Sequence, residues 1–358
     1  MKILDKYIIK KFLGTFFFSL ALIIVIAVVF DISEKLDDFI ERKAPFSAIV
    51  FDYYFNFIPY FANLFAPLFI FISVIFFTAK MASNTEIVAI LNSGISFRRL
   101  LYPYFVASLF LAGLSFYFNG WVIPHSNKVK LNFENLYIKN PVEFKDRNLH
   151  RQISPGIYMY LEGYNNVENV GYRFSLERIE NGKRNWFLNS DRIIWDSIGS
   201  KWKIENYYIR TIVGFKETIR AGQRLDTTLS IKPADFKRRL NSIDAMDTPT
   251  LNKFIREEEA QGSENVNTYL IEKYRRIAVP FSTFILMLIG VSLSSKKSRG
   301  GIGVQLGFGI FLSFTYILFQ QFSNTFAVNG SIPSLIAVWI PNMIFAVIAF
   351  YLVRIAPK

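Results

Sequence analysis

The chain of 358 residues has no cysteine and only two histidines, His125 and His150. The absence of cysteine excludes disulfides, cysteine-ligated zinc, iron–sulfur clusters and cysteine nucleophiles. Two histidines are too few for a histidine-rich metal centre. We therefore expect neither a metal nor a cofactor.

Charge is missing from six long stretches, each close to the roughly 20 apolar residues that a helix needs to cross a bilayer. The mean hydropathy of +0.27 and the 38 phenylalanines exceed what a soluble basic domain can bury. Turn chemistry at Asn329-Gly330 and Pro333 divides the last uncharged run in two. We predict six transmembrane helices, at Phe12–Phe30, Phe57–Ala79, Leu100–Ile123, Ile277–Ser295, Ile302–Phe322 and Ile332–Val353.

Familiar catalytic signatures are also missing. The chain has no phosphate-binding GxxxxGK[ST] run, no HExxH and no GxSxG. None of the six spans carries a charged residue, which disfavours a proton-coupled transporter and an intramembrane hydrolase. If the protein moves a substrate, its energy comes from a partner.

The net charge of +13, from 41 basic and 28 acidic residues, would ordinarily suggest nucleic acid. In a membrane protein it indicates orientation instead, because basic residues collect in cytoplasmic loops. Residues 1–11, 80–99, 296–301 and 354–358 carry a net charge of +10, whereas residues 31–52 carry −3. We expect both termini to be cytoplasmic and no nucleic-acid partner.

One predicted extracytoplasmic loop is very large. Its alternating polar and apolar residues, with turns at Asn181-Gly182 and Gly199-Ser200, predict an antiparallel β domain. A sandwich, a jelly roll and a barrel all fit this pattern. The predicted division is residues 1–123 for spans one to three, 124–246 for the β domain, 247–276 for a polar helical connector and 277–358 for spans four to six.

The loop between spans two and three contains a short apolar segment at about residues 84–94. Gly94 is placed to end a helix there and Ser96 to begin the next. The segment is more apolar than a solvated connector needs, at Ile87, Val88, Ile90 and Leu91. A short amphipathic helix of this kind suits the groove of a partner, although a plain connector is the commoner fate of such a loop.

Several motifs along the chain resemble one family in their order and spacing. They are DKYIIKKF, EIVAILNSG, GWVIP, KYRRIAVP, GIGVQLGFGIFLSFTY and IPSLIAVWIP. Together they resemble the lipopolysaccharide-export permeases of Gram-negative bacteria, of the LptF and LptG type. The segment FDISEKLDDF is more similar to the G type.

This resemblance implies a bacterial inner-membrane location, a jelly-roll-like β domain and a multi-subunit assembly. The expected partners are a second homologous permease, a cytoplasmic ABC ATPase dimer, a periplasmic bridge protein and a single-span helper. Lipopolysaccharide would be the substrate, drawn from the membrane lipid, and the chain itself would not be an enzyme. The residues implied to couple to the ATPase are Glu86, Ile87, Val88, Ile90, Leu91, Gly94, Arg98 and Arg99. The two arginines could instead bind anionic headgroups.

Lipopolysaccharide carries phosphates near the membrane surface, so basic residues at the outer rim are its expected contacts. The candidates are Lys35, Arg42, Lys43, Lys128 and Lys130, together with Phe18, Phe308 and Phe311 for the acyl chains. The chain departs from the family where Val29, Leu131 and Glu134 replace expected basic residues.

Two other classes stay open. A membrane sensor could couple an outer β domain to a cytoplasmic partner without moving lipid, and it would need no lipid-sized apolar cavity. A lipid-modifying enzyme is disfavoured because no catalytic constellation is present.

Overall fold

The computed structural model describes residues 2–138, 149–165, 168–180, 182–233, 240–263, 265–296 and 300–356. It divides into two compact units. The helical unit comprises residues 1–138, 244–249 and 267–358, and the β unit comprises residues 139–243 and 250–266. These two units are defined by which residues pack together, whereas our predicted domain boundaries are defined by where the chain enters and leaves the membrane. Those boundaries stay predictions.

Six of the described helices are long and apolar enough to cross a membrane, which confirms the predicted number. They extend beyond the charge-free runs, because the bilayer limits the apolar length of a helix and not its total length. The helices are α1 Ile3–Glu41, α2 Phe46–Ser83, α3 Glu86–Asn92, α4 Phe97–Tyr137, α5 Thr248–Ala260, α6 Val266–Ser294, α7 Gly301–Val328 and α8 Ser334–Ile355. All except α3 and α5 are candidate spans.

The spans of the helical unit differ in how much of their apolar surface is buried. In the most apolar stretch of each helix, 61% of the residues are buried in α6, against 17% in α1 and 22% in α7. Glycines allow close approach to α2, because a Cβ at Gly290 would lie 2.8 Å from Val74 and one at Gly309 would overlap the side chain of Ile75. Helices α2 and α6 therefore lie at the centre of this unit, and α1 and α7 present open faces.

The β unit contains one antiparallel sheet whose described strands pair in sequence order, as in a meander. This confirms the predicted antiparallel β domain. The turns between strands use left-handed residues, Gly182 at φ 73° and Ser200 at φ 49°. Asn181 lies outside the described residues. The strands are β1 Leu149–Ser154, β2 Ile157–Asn165, β3 Val170–Glu180, β4 Lys183–Asp196, β5 Lys201–Val213 and β6 Lys216–Thr227.

Alternation along these strands places one apolar face in a common core. Met159 pairs with Leu176 and Leu161 with Phe174, and all four side chains are buried. The indole of the buried Trp202 donates to the carbonyl oxygen of Ile231 at 2.8 Å, which closes one side of the core. The β unit is thus folded around its own hydrophobic cluster.

Candidate functional site

The short helix α3 lies between α2 and α4, where the sequence predicts it. Thr85 precedes it in the left-handed conformation at φ 61°, and Gly94 follows it at φ 86°. The hydroxyl oxygen of Ser96 accepts from the backbone nitrogen of Arg99 at 3.3 Å and caps α4. The predicted roles of Gly94 and Ser96 at the helix ends are therefore confirmed.

The apolar face of α3 is turned largely toward its own chain. Ile87 is buried in the main hydrophobic cluster of the helical unit, and Ile90 and Leu91 pack against that cluster. Val88 is 50% exposed, and the neighbouring Ala89 is exposed as well. The surface that α3 leaves for a partner is therefore narrower than the four apolar residues suggest.

The charged residues beside α3 differ in their environments. The carboxylate of Glu86 accepts from the side-chain nitrogen of Asn84 at 3.1 Å and from the hydroxyl of Tyr7 at 3.4 Å. Arg99 forms a two-pronged ion pair with Asp5 at 2.7 and 2.8 Å, whereas Arg98 is exposed. Arg99 thus has an ionic partner within the chain that sequence spacing does not reveal.

The predicted basic rim also divides into two groups. Lys35 contacts Asp31 and the hydroxyl of Tyr53. Lys130 lies 3.8 Å from Glu134 and 5.3 Å from the centre of the Tyr60 ring. Arg42 is half-buried, while Lys43 and Lys128 are exposed. Only the last two present their side chains mainly to the surroundings.

The three predicted apolar contacts all lie on open faces of the helical unit. Phe18 of α1 is 72% exposed, and Phe308 and Phe311 of α7 are 58% and 65% exposed. A Cβ added at Gly303 or Gly307 of α7 would meet no atom within 4 Å. These faces are large apolar surfaces without a partner among the described residues.

An apolar crevice between α1, α2 and α4 was not foreseen from the sequence. Its volume is about 350 Å³, and its lining is almost entirely apolar apart from Asn63 and Ser115. Ser115 donates to the side-chain oxygen of Asn63 at 2.9 Å, and Asn63 donates to Asn119 at 3.0 Å. Small residues one turn apart in α2, Ala62 and Ala66, are the signal that could have indicated it.

A second, polar cavity of about 80 Å³ lies in the same unit. Arg275 pairs with Glu272 at 2.6 Å, and Arg276 lies 3.2 Å from the other oxygen of Glu272. Asp244 lies 4.0 Å from Arg275, and removal from solvent raises the pKa of its carboxyl. The helical spacing of Glu272 with the two arginines could have predicted the pairs but not the cavity.

Within the described residues no group of three or more His, Asp or Glu side chains could hold a metal ion.

In the described part of the β sheet, β6 pairs with β5 on one side only, and most of its residues are exposed. Such an edge can accept a further strand.

The fold and these surfaces define a multi-pass membrane protein of six spans with an antiparallel β domain. A search of the curated proteins found no match to the chain. The family described as "Lipopolysaccharide export system permease LptF/LptG" matches residues 6–355. The match covers nearly the whole chain, so the chain belongs to this family.

Membership places the chain among transport permease subunits, which are not themselves enzymes, in the inner membrane. It also implies partners within the lipopolysaccharide export complex. The match does not distinguish LptF from LptG, and the similarity to the G type stays a prediction.

Proposed function

We propose that the chain is a permease subunit of an ABC-type complex that extracts lipopolysaccharide from the inner membrane. It passes the lipid to a periplasmic bridge protein and is driven by a separate cytoplasmic ATPase dimer. The orientation that we propose places both termini in the cytoplasm and the β unit in the periplasm.

The open apolar faces of α1 and α7 carry this proposal. They contrast with the largely buried α6 and present Phe18, Phe308 and Phe311 to the surroundings. Paired with the same faces of a second permease, they would enclose a space for acyl chains. The glycines of α7, Gly303 and Gly307, would allow that permease to approach closely.

The coupling role belongs to α3 and its flanking residues. The residues predicted to couple the chain to the ATPase are Glu86, Ile87, Val88, Ile90, Leu91, Gly94, Arg98 and Arg99. Among these, the exposure of Val88 and Arg98 favours direct contact, whereas Ile87 and Arg99 would support the helix from within. A double variant, Glu86→Lys with Val88→Asp, should therefore lose the co-purifying ATPase, and the matched control Lys296→Met should keep it.

The outer rim would attract the phosphates of lipopolysaccharide. Lys43 and Lys128 are best placed for this role because both are exposed. Lys35, Arg42 and Lys130 would contribute from positions that are half-buried. The exposed edge of β6 is the surface we propose for the strand of a periplasmic partner.

The test is purification of the chain from membranes, followed by assembly of the recovered complex in vesicles that contain lipopolysaccharide. We expect an ABC ATPase and a second permease of similar size, and release of lipopolysaccharide only when ATP is added. A complex that hydrolyses ATP without releasing lipid would favour the sensing alternative. Turnover of lipid by the purified chain alone would favour an enzyme.

A further inference from the structure

The coupling segment, residues 84–99, is held against the first turns of α1. At one end, the hydroxyl of Tyr7 donates to Glu86 at 3.4 Å. At the other end, the guanidinium of Arg99 donates to both carboxylate oxygens of Asp5 at 2.7 and 2.8 Å. Ile87 and Ile8 are buried in the same hydrophobic cluster. The segment therefore joins α2 and α4 through the chain and α1 through space.

The pair between Asp5 and Arg99 differs from an ordinary surface ion pair. The side chain of Asp5 is only 1% exposed, and it also accepts from the backbone nitrogen of Lys2 at 2.8 Å. The Arg99 side chain is 37% exposed, but separating the pair would leave the buried carboxylate of Asp5 without a cation, which is costly. The two parallel hydrogen bonds also fix the angle between the groups, which a sliding apolar contact does not.

Helix α1 is suited to receive such a movement. It is a continuous helix of 39 residues, about 60 Å long. Its most apolar stretch is the least buried of the spans, whereas Ile8 and Phe12 near its start are buried in the hydrophobic cluster that also contains Ile87. The same apolar stretch presents Phe18, which is 72% exposed, to the surroundings.

We propose that Asp5 and Tyr7 are positioning residues that convert movement of the coupling segment into displacement of α1. The proposal rests on the proposed function and deepens it. It assigns the route of force to a non-covalent link with span one, in addition to the spans that the segment joins directly. Neither residue contacts the ATPase or the lipid in this scheme.

The test compares Asp5→Asn and Arg99→Gln within the complete permease–ATPase complex in lipopolysaccharide vesicles. ATP hydrolysis and released lipid are measured in the same sample, and the readout is lipid released per ATP. We expect ATPase co-purification and hydrolysis to be kept, while this ratio falls roughly tenfold. Tyr7→Phe removes only the hydroxyl that donates to Glu86 and should lower the ratio less. Because it leaves no buried charge unpaired, it keeps the test usable if Asp5→Asn or Arg99→Gln folds poorly. The control Lys296→Met removes a 3.0 Å hydrogen bond to Ile355 on the same predicted side and should leave the ratio unchanged.

A covalent rescue separates a link from simple packing. Because the chain has no cysteine of its own, Asp5→Cys with Arg99→Cys is the one pair within it that a flexible bismaleimide can bridge. Bridging should restore the ratio in the double variant. An unchanged ratio in Asp5→Asn and Arg99→Gln would overturn the proposal, as would loss of the ATPase from Arg99→Gln, which would place Arg99 in the ATPase interface. Absence of lipid release by the unmodified complex would instead refute the proposed function.

Discussion

Span four and spans one and five use similar apolar compositions for different purposes. In α6, 61% of the most apolar stretch is buried, whereas α1 and α7 bury 17% and 22%. In lipid, apolar residues gain little by leaving the solvent, so burial there reflects close packing and hydrogen bonds rather than hydropathy. Helix α6 is therefore part of the packed scaffold, while α1 and α7 leave apolar faces open to lipid or to another protein.

The largest expected effect comes from a pair of glycine substitutions, one in the buried helix α6 and one in the open helix α7. Gly290→Val would force a Cβ to within 2.8 Å of Val74, and overpacking of this kind costs about 1–3 kcal/mol. The Cβ added by Gly307→Val meets no atom within 4 Å, so this variant should change the stability of the single chain far less. Thermal unfolding of both variants in detergent checks the difference. If Gly307→Val were the more destabilising of the two, α7 would belong to the scaffold.

A buried hydrogen-bond network offers a second way to break the scaffold. The side-chain oxygen of Asn342 accepts from Tyr316 at 2.9 Å, and its nitrogen donates to the carbonyl oxygen of Ala278 at 2.9 Å. Asn342→Leu should lower the free energy of unfolding by about 1 kcal/mol. The neighbouring Met343→Leu, on the exposed side of α8, is the matched control. Equal melting temperatures for the two variants would show that this network does not stabilise the bundle.

The basic rim sharpens the comparison on the proposed lipid-facing side. Lys43→Gln with Lys128→Gln should weaken binding of lipopolysaccharide by roughly fivefold per residue, since each basic group near an anionic surface contributes about 1 kcal/mol. Lys130→Gln should weaken it less, because Lys130 already faces Glu134 and Tyr60. Titration of the detergent-solubilised chain with labelled lipopolysaccharide gives the affinities. A larger loss of affinity in Lys130→Gln would mean that the phosphates bind closer to Lys130 and Tyr60.

The smallest effect concerns the β unit and pH. The ammonium group of Lys203, 2.7 Å from Asp196, lowers the pKa of that carboxyl below its ordinary value of 3.8. A lowered folded-state pKa contributes stability above pH 3.8, and this is lost as the pH falls through the folded-state pKa. The melting temperature of Lys203→Met should therefore be closer to that of the unmodified chain well below pH 3.8 than at neutral pH. A difference that does not change with pH would mean that the pair contributes no charge-dependent stability.

Much of the fold could be predicted because its signals are local. The uncharged runs predict the spans, Gly94 and Ser96 predict the breaks around α3, and alternation predicts the strands. The contact of Asp5 with Arg99 joins residues 94 positions apart and has no local signal. Which face of α3 turns inward was also hidden, because Ile87 and Val88 are equally apolar in sequence but differ in burial. The sites depend on such packing choices, so the sequence predicts their residues better than their partners.

The most direct test of the central claim is photocrosslinking to lipopolysaccharide in cells. A photoreactive phenylalanine analogue replaces Phe18, Phe308 or Phe311, and a control replaces Phe350 of α8, which is 69% exposed but lies outside the proposed lipid-binding faces of α1 and α7. We predict lipopolysaccharide adducts at the three positions of α1 and α7 and few or none at Phe350. Adducts that are equally strong at Phe350 would contradict the assignment of α1 and α7 as the lipid-binding faces.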